Sequence, residues 1–325
     1  MGQTTLLDIV KANGSDRLAG LIDETTKVHP ELTAVGARTI KGVNYKLLVR
    51  TALGQTLAGF RNANGGVTPA TNVYENRTIE AFLLEARWQC DKGVADVYED
   101  GAPAYIAMEA GGIMEGQMQG LAAQFFYGVG AGGNAAGFLG LLQGYDAASM
   151  VVDAGGSSAA TGSSVWFVRV SPQDVQWVWG NTGKIDVIPA TPEAAIAAPI
   201  LVTDAADSTK QFLGYVQSLT GRVGLQVGST RALCRIKKLT ADSGKGLTDA
   251  MIFDALGKFP AGRGPTVCFM TQRSLMQLQK SRTPTTNTAI KGTMAEYPRT
   301  IIGVDGQEIP ILVTDALLNT EALTL

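Results

Sequence analysis

Apolar and polar positions change their spacing several times along this chain, and each change predicts an element. "YKLLVRTAL" at 45–53 is a β-leaning run. "VYENRTIEAFLLEARW" at 73–88 returns, with apolar Ile79, Phe82 and Leu84. Between them "GFRNANGGVTPATN" is turn chemistry, with Gly59, Asn62, Asn64, Gly65, Gly66 and Pro69. This pattern predicts a long hairpin over residues 45–87. A hairpin with so polar a tip has no core of its own. It projects, and its exposed edges call for a partner.

The next pattern is helical. "PAYIAMEAGGIMEGQMQGLAAQFF" predicts one long helix over 103–126, with Pro103 in the first turn and Asp100 just upstream, where an acid suits the helix dipole. Such a helix extends about 36 Å at 1.5 Å per residue. Gly111, Gly112, Gly116 and Gly120 lie inside it. Each glycine costs about 1 kcal/mol against alanine, so something must offset them. Gly112, Gly116 and Gly120 recur every four residues and share one face, smooth enough for another backbone to approach. The reading is a long helix pressed against a sheet or another chain; two shorter helices are the alternative. The acids and amides Glu109, Glu115, Gln117 and Gln119 set it apart from the membrane form of the motif.

Residues 1–44 read as an extended arm with one or two short helices, "TTLLDIVKAN" among them. The stretch 129–165 is Gly, Ala and Ser-rich, and reads as loop with short strands. "SSVWFVRVSPQDVQWVWGNTGK" alternates and is β-branched and aromatic, so it reads as strands. "IPATPEAAIAAPILVTDAAD" reads as a loop or insertion. "GYVQSLTGRVGLQVGSTRALCRIKKL" gives two strands around Gly228 and Ser229. An amphipathic helix capped near Thr248, a buried strand "PTVCFM", a helix "TQRSLMQLQKSR" and a strand "EIPILVTDAL" follow. Strands and helices alternate irregularly and no repeat recurs, so the class is α+β.

Composition narrows the chemistry. Charged residues make up 17% of the 325, below the roughly 25% of ordinary soluble domains; a thinly charged surface suits a chain that meets neighbours. The net charge of −2 carries no basic arm to track phosphates. The single histidine, His29, reads as a surface residue beside Pro30; any Ser-His-Asp or histidine-rich metal site would have to be built around it alone. Cys90, Cys234 and Cys268 are far apart, with no zinc or redox spacing, and read as small buried side chains in a reducing compartment. Trp166, Trp177 and Trp179 read as core or interface rather than a stacking platform. The start "MGQTTLLDIV" reads as neither signal peptide nor myristoylation site.

One glycine-rich stretch invites a nucleotide reading. In "QFFYGVGAGGNAAGFLGLL", Gly128, Gly130 and Gly133 match GxGxxG. That fingerprint needs a strand before it and a helix after it; here the long helix precedes. It also lacks the lysine of a P-loop. The reading is helix termination at Gly128 and a flexible turn, with Phe125, Phe126, Phe138 and Leu139 as anchors on either side. No catalytic, cofactor or metal residue is assigned.

Several stretches, in order, resemble the major capsid proteins of tailed bacteriophages. They are "GFRNANGG", "YENRTIEAFLLEARWQCDKGVADVYEDG", the helix ending "QFFYG", "SSVWFVRVSPQDVQWVWGN", "GRVGLQVGSTRALCRIKKL", "GKGLTDAMIFDAL" and "IPILVTD", spanning about residues 55–315. The resemblance implies the Hong Kong 97-type capsid fold. Residues 1–44 are then the N-terminal arm, 45–80 an extended loop, 81–150 a peripheral domain with spine helix 103–126, 151–300 an axial domain with some peripheral-sheet strands, and 301–325 a strand returning to the shell core. The implied function is self-assembly as hexamers and pentamers into an icosahedral shell around double-stranded DNA, in the host cytoplasm. The implied partners are further copies, a separate scaffolding protein, a portal protein, DNA held non-specifically, and a cement or decoration protein where the shell uses one; no membrane is implied. Candidate interface residues are Arg50, Phe60, Arg61, Tyr74 and Arg77 on the loop, and Gly112, Gly116 and Gly120 on the helix. Some relatives cross-link this loop through lysine and asparagine, but no lysine lies between Lys46 and Lys92 here, so no such bond is expected at its tip. A cellular nanocompartment shell of the same fold is the alternative within this class. A nucleotide-binding enzyme and a secreted adhesin are the alternatives outside it.

Overall fold

The computed structural model describes residues 13, 23–54, 59–180, 183, 186–189, 199–204, 209–286, 300–303 and 306–323. The predicted helix in "TTLLDIVKAN" lies outside them.

Two six-stranded sheets and a separate two-stranded ribbon organise the chain. In the first sheet, β1 (Ala37–Thr39), β7 (Val175–Trp179), β10 (Gln211–Val227) and β4 (Phe82–Asp91) lie side by side. The 17-residue β10 is its axis. It pairs antiparallel with β4 over residues 214–223, and on its other side with β7, β8 (Asp186–Pro189) and β9 (Ile200–Thr203) in turn. The Ala/Pro-rich stretch read as a loop therefore contributes two strands. Its short apolar runs gain their partners only from β10, far away in sequence. Likewise Ala37–Thr39, read as part of an arm, is a strand parallel to β7.

The second sheet runs β13 (Thr300–Ile302), β14 (Glu308–Val313), β12 (Val267–Met270), β6 (Ser163–Val168), β11 (Leu233–Leu239), β5 (Val151–Asp153). Its pairings are mixed, β12 with β14 and β11 with β5 being parallel. Every residue of β6 is buried, which accounts for its continuous run "SSVWFV" where a one-sided strand would alternate. Trp166 and Val168 face one core, Val165 and Phe167 the other.

The predicted long helix is a single helix, Ala102–Tyr127, of 26 residues. It is the third helix of the described chain, α3, after the short α1 (Glu31–Ala34) and α2 (Lys92–Ala95). Its first half packs Tyr105 and Ile106 against Trp88, Cys90 and Tyr215 of the first sheet. Its last turns drive Leu121, Ala122, Phe125 and Phe126 into the main core with Trp177, Trp166 and Phe269. Phe125 meets Trp177 at 5.2 Å and Phe269 at 5.9 Å between ring centroids. The short α4 (Leu141–Gly144) follows the glycine-rich turn. The far side of the second sheet is covered by α5 (Asp249–Leu256) and α6 (Gln272–Thr286), through Ile252, Leu256, Leu275 and Leu278.

The three cysteines form no disulfide and are buried; burial is as read. Trp166 and Trp177 are core residues, with Trp179 packed partly buried against them. His29 departs from its reading: its side chain is 7% exposed and lies against Glu31, itself wholly buried.

Candidate assembly interface

The hairpin is made by β2 (Asn44–Ala52) and β3 (Val73–Glu80), paired antiparallel from Asn44↔Glu80 to Ala52↔Val73. A strand sends successive side chains to opposite faces, and here the two faces differ. Tyr45, Leu47, Arg77 and Ile79 turn toward the body and are partly or fully buried. Leu48, Arg50 and Tyr74 turn away and are exposed, with Arg50 and Tyr74 directly opposite one another. At the tip Phe60 is 94% exposed, and Arg61 donates to the Gly65 carbonyl at 3.1 Å. Asn64 takes φ 63° there, the left-handed conformation that asparagine tolerates better than most residues. The neck of the tip is tight. A Cβ on Gly54 would lie 2.3 Å from the Thr71 carbonyl oxygen.

The base is fastened to the body. The Tyr45 hydroxyl donates to Gln226 Oε1, which also accepts from Gln176 Nε2 at 2.8 Å. The Arg38 guanidinium lies 4.7 Å from the Tyr45 ring centroid. Arg77 donates to the Gly228 carbonyl at 3.2 Å. Of the eight candidate residues, Arg77 therefore has a partner in its own chain, whereas Arg50, Phe60 and Tyr74 face away from it. Gln226 and Gln176 were not visible as anchors in the sequence, where glutamine on a strand reads as a solvent-facing residue. Beyond the base, a cleft of about 380 Å³ separates residues 75–80 from Phe138, Leu139 and Gln143.

On α3 the glycine face is open. Gly112, Gly116 and Gly120 are exposed, and no described residue comes within 4 Å of the place where a Cβ would stand. The sheet packs on other positions of the helix, so of the two partners read for it, a sheet or another chain, the sheet does not cover this face among the described residues.

The glycine-rich stretch is a close-packed turn. Gly128 stops α3 at φ 54°. Gln124 then reaches across the turn, donating to the carbonyls of Asn134 (3.1 Å) and Phe138 (2.7 Å) and accepting from the Asn134 amide (2.6 Å). Gln143 donates to the Tyr127 carbonyl at 2.9 Å. Gln143 thereby satisfies a carbonyl that the helix end leaves open, and Gln124 ties the turn back onto the helix. Phe125, Phe126 and Phe138 are buried as expected, but Leu139 is 59% exposed and anchors nothing within the described chain. The turn is tight because its backbones touch. A Cβ on Gly133 would lie 1.9 Å from the Gly128 carbonyl oxygen. Gly133→Ala is expected to lower subunit stability by about 1–3 kcal/mol, read as a lower denaturation midpoint. Gly130→Ala, whose nearest contacts are 3.1 Å away, should have the smaller effect. A flexible hinge predicts no loss from either.

Residues 16–324 match the family model described as major capsid protein GP7. The chain belongs to this family. The capsid protein is also similar in structure to a chain of bacteriophage Epsilon15, with a TM-score of 0.71 and 21% identity, covering 99% of this chain and 98% of that one. A chain from the bacteriophage JBD30 capsid aligns over 95% of the capsid protein at 10% identity, with a TM-score of 0.49. No curated protein matches it. The mixed α+β architecture is thus that of phage capsid subunits, and the role of the protein is structural. Among the described residues, no helix is long and apolar enough to cross a membrane.

Proposed function

We propose that this capsid protein builds a closed icosahedral shell as homo-hexamers and homo-pentamers around double-stranded DNA. The observation that carries the reading is the hairpin, fastened at its base while Leu48, Phe60 and Tyr74 face away from their own chain. In this reading residues 1–44 are the arm and the hairpin (45–80) is the extended loop, laid across a neighbouring subunit. Residues 81–150 form the peripheral domain with α3 as its spine helix, 151–300 the axial domain, and 301–325 the return to the shell core. Arg50, Phe60, Arg61 and Tyr74 contact the neighbour through the outer face and tip of the loop, and Gly112, Gly116 and Gly120 offer a second copy a smooth surface. Many modest contacts per subunit then multiply into a durable shell. A separate scaffolding protein takes part during assembly in the host cytoplasm. A portal and, where the shell uses one, a cement protein complete the particle. With no basic tail, contact with the packaged DNA is weak and screened by ions.

Electron microscopy of the purified full chain tests this reading. Closed shells are expected, and a nucleic-acid absorbance peak in particles from infected cells separates a genome shell from a nanocompartment holding protein. Denatured particles should run as one band, since the loop has no lysine beyond Lys46 at its base; a covalent ladder would show a cross-link elsewhere. Subunits that stay monomeric under every condition overturn the proposal.

A further inference from the structure

Residues 28–35 lie against the body of their own subunit. The Val28 amide donates to Asp315 Oδ2 at 2.9 Å, and the Asp315 amide donates back to the Val28 carbonyl at 3.1 Å. Trp177 Nε1 donates to the Glu31 carbonyl at 3.1 Å, and Val35 is buried in the main core. Between these fastenings sit two buried ionisable side chains. His29 Nδ1 is 3.6 Å from Glu31 Oε1, beyond hydrogen-bond length. Neither nitrogen of His29 and neither oxygen of Glu31 has a hydrogen-bond partner among the described residues. The groups that face them are Glu115 of α3, Thr314 and Asp315 of the segment after β14, and Lys27 of their own segment.

We propose that His29 and Glu31 exchange one proton when this segment docks, so that docking proceeds with no net uptake or release of protons in mildly acidic solution. In solution between the ordinary values of the two groups, 4.5 and 6.5, the free segment carries an imidazolium and a carboxylate. A buried carboxylate whose oxygens make no hydrogen bond among the described residues, with Asp315 beside it, is costly to keep charged. Docking moves the proton from the imidazole to the carboxylate, leaving a neutral histidine and a neutral glutamic acid. The proton count and the net charge of the pair do not change.

The directions of the two shifts agree. Burial pushes the Glu31 carboxyl up to about 7, with Asp315 adding to it. Burial pushes the His29 imidazole below 6.5, with Glu115 and Asp315 opposing. The signs are opposite. A raised carboxyl favours docking fully below 4.5, and that contribution fades as pH rises toward about 7. A depressed imidazole favours docking fully above 6.5, and that contribution fades as pH falls toward its docked value. Between the two ordinary values the slopes oppose one another, so the hold on the segment varies less with pH than either residue alone would make it.

Hydrogen–deuterium exchange of peptides covering residues 28–35 in the full chain, corrected for intrinsic rate, tests this. The wild-type protection should vary less from pH 4.5 to 6.5 than that of either variant below. His29→Gln unmasks the carboxyl, so protection should fall as pH rises, by up to about tenfold per pH unit, the limit for one proton. Glu31→Gln unmasks the imidazole, so protection should rise with pH over the same range. The Glu31→Gln side chain is close in size, and circular dichroism at pH 6.5 checks that both variants remain folded. Flat profiles for both variants, or slopes of the same sign, overturn the proposal. A steep wild-type profile also overturns it.

Discussion

Glu321→Ala is expected to be among the most destabilising single substitutions in this protein. Glu321 is 3% exposed and sits at the centre of a buried network. Tyr127 at the end of α3 donates its hydroxyl to Oε1 at 2.7 Å; Ser164 of β6 donates to Oε2, as does Arg235 Nη2 of β11 at 3.1 Å. Arg235 is 1% exposed, also donates to Ser164 Oγ at 2.9 Å, and stands 5.4 Å from the Trp166 ring centroid. Burial, with the Glu321 charge beside it, holds the Tyr127 hydroxyl protonated well above the ordinary tyrosine range. Removing the carboxylate leaves the guanidinium charged, dry and without its counter-ion. Breaking a buried pair from one side costs about 3–5 kcal/mol, a large share of the 5–15 kcal/mol that holds a typical domain folded. Denaturant titration of the unassembled subunit should show the loss. The pair Arg235→Met with Glu321→Leu should lose less than either single truncation, because replacing both charges by apolar groups of similar size is often nearly neutral. If Glu321→Ala unfolds at the wild-type midpoint, the network contributes nothing.

Shortening the hairpin should do the opposite, leaving the subunit intact and removing the shell. The cut belongs at the neck, where the Gly54 and Thr71 backbones nearly touch. Joining residue 54 to residue 71 through an Asn-Gly turn, a sequence suited to a two-residue hairpin loop, deletes Phe60 and Arg61. The base contacts of Tyr45 and Arg77 remain. Surface changes away from core features usually alter stability by less than about 0.5 kcal/mol, so the thermal midpoint should barely move. Losing one contact worth about 1.4 kcal/mol weakens each association about tenfold, and the loss repeats at every subunit. Closed particles should therefore disappear from micrographs while capsomers or free subunits accumulate in sedimentation. Normal shells from the shortened chain would remove the hairpin from the assembly mechanism.

The elements visible in the sequence were those whose reasons are local. The β-leaning run at 45–53 and the turn residues after it report a hairpin, the β-branched and aromatic "SSVWFV" reports a strand but not that it is covered on both sides, and Pro103 and Gly128 mark the ends of the long helix to within a residue. What stayed hidden depends on distant partners. Asp186–Pro189 and Ile200–Thr203 are strands only because β10 is long enough to pair with both. Nothing in "VGARTIKG" announces that Ala37–Thr39 will lie parallel to β7. Leu139 looked like an anchor because it follows Phe138, yet neighbours in a loop need not share a fate. His29 looked exposed because histidine beside proline usually is; the charges that act on it, Glu115 and Asp315, come from stretches far away in sequence. For the candidate interface, the exposed tip could be read from its turn residues. The division of the hairpin into a fastened face and a free face needed Gln226, Gln176 and Gly228, which lie some 100 to 180 residues further along the chain.

The link between Tyr127 and Glu321 also sets a clock. The two residues are 194 positions apart, and a ribosome adds about 5–20 residues per second. The end of α3 therefore emerges roughly 10–40 seconds before the carboxylate that binds its tyrosine exists. Through that interval Phe125, Phe126 and Tyr127 belong to a helix whose core is incomplete, and they are free to stick to other nascent chains. Synthesis at high copy number makes that delay the period in which the subunit most needs a chaperone. Slower translation after the helix should raise the insoluble fraction without changing a single contact of the finished fold.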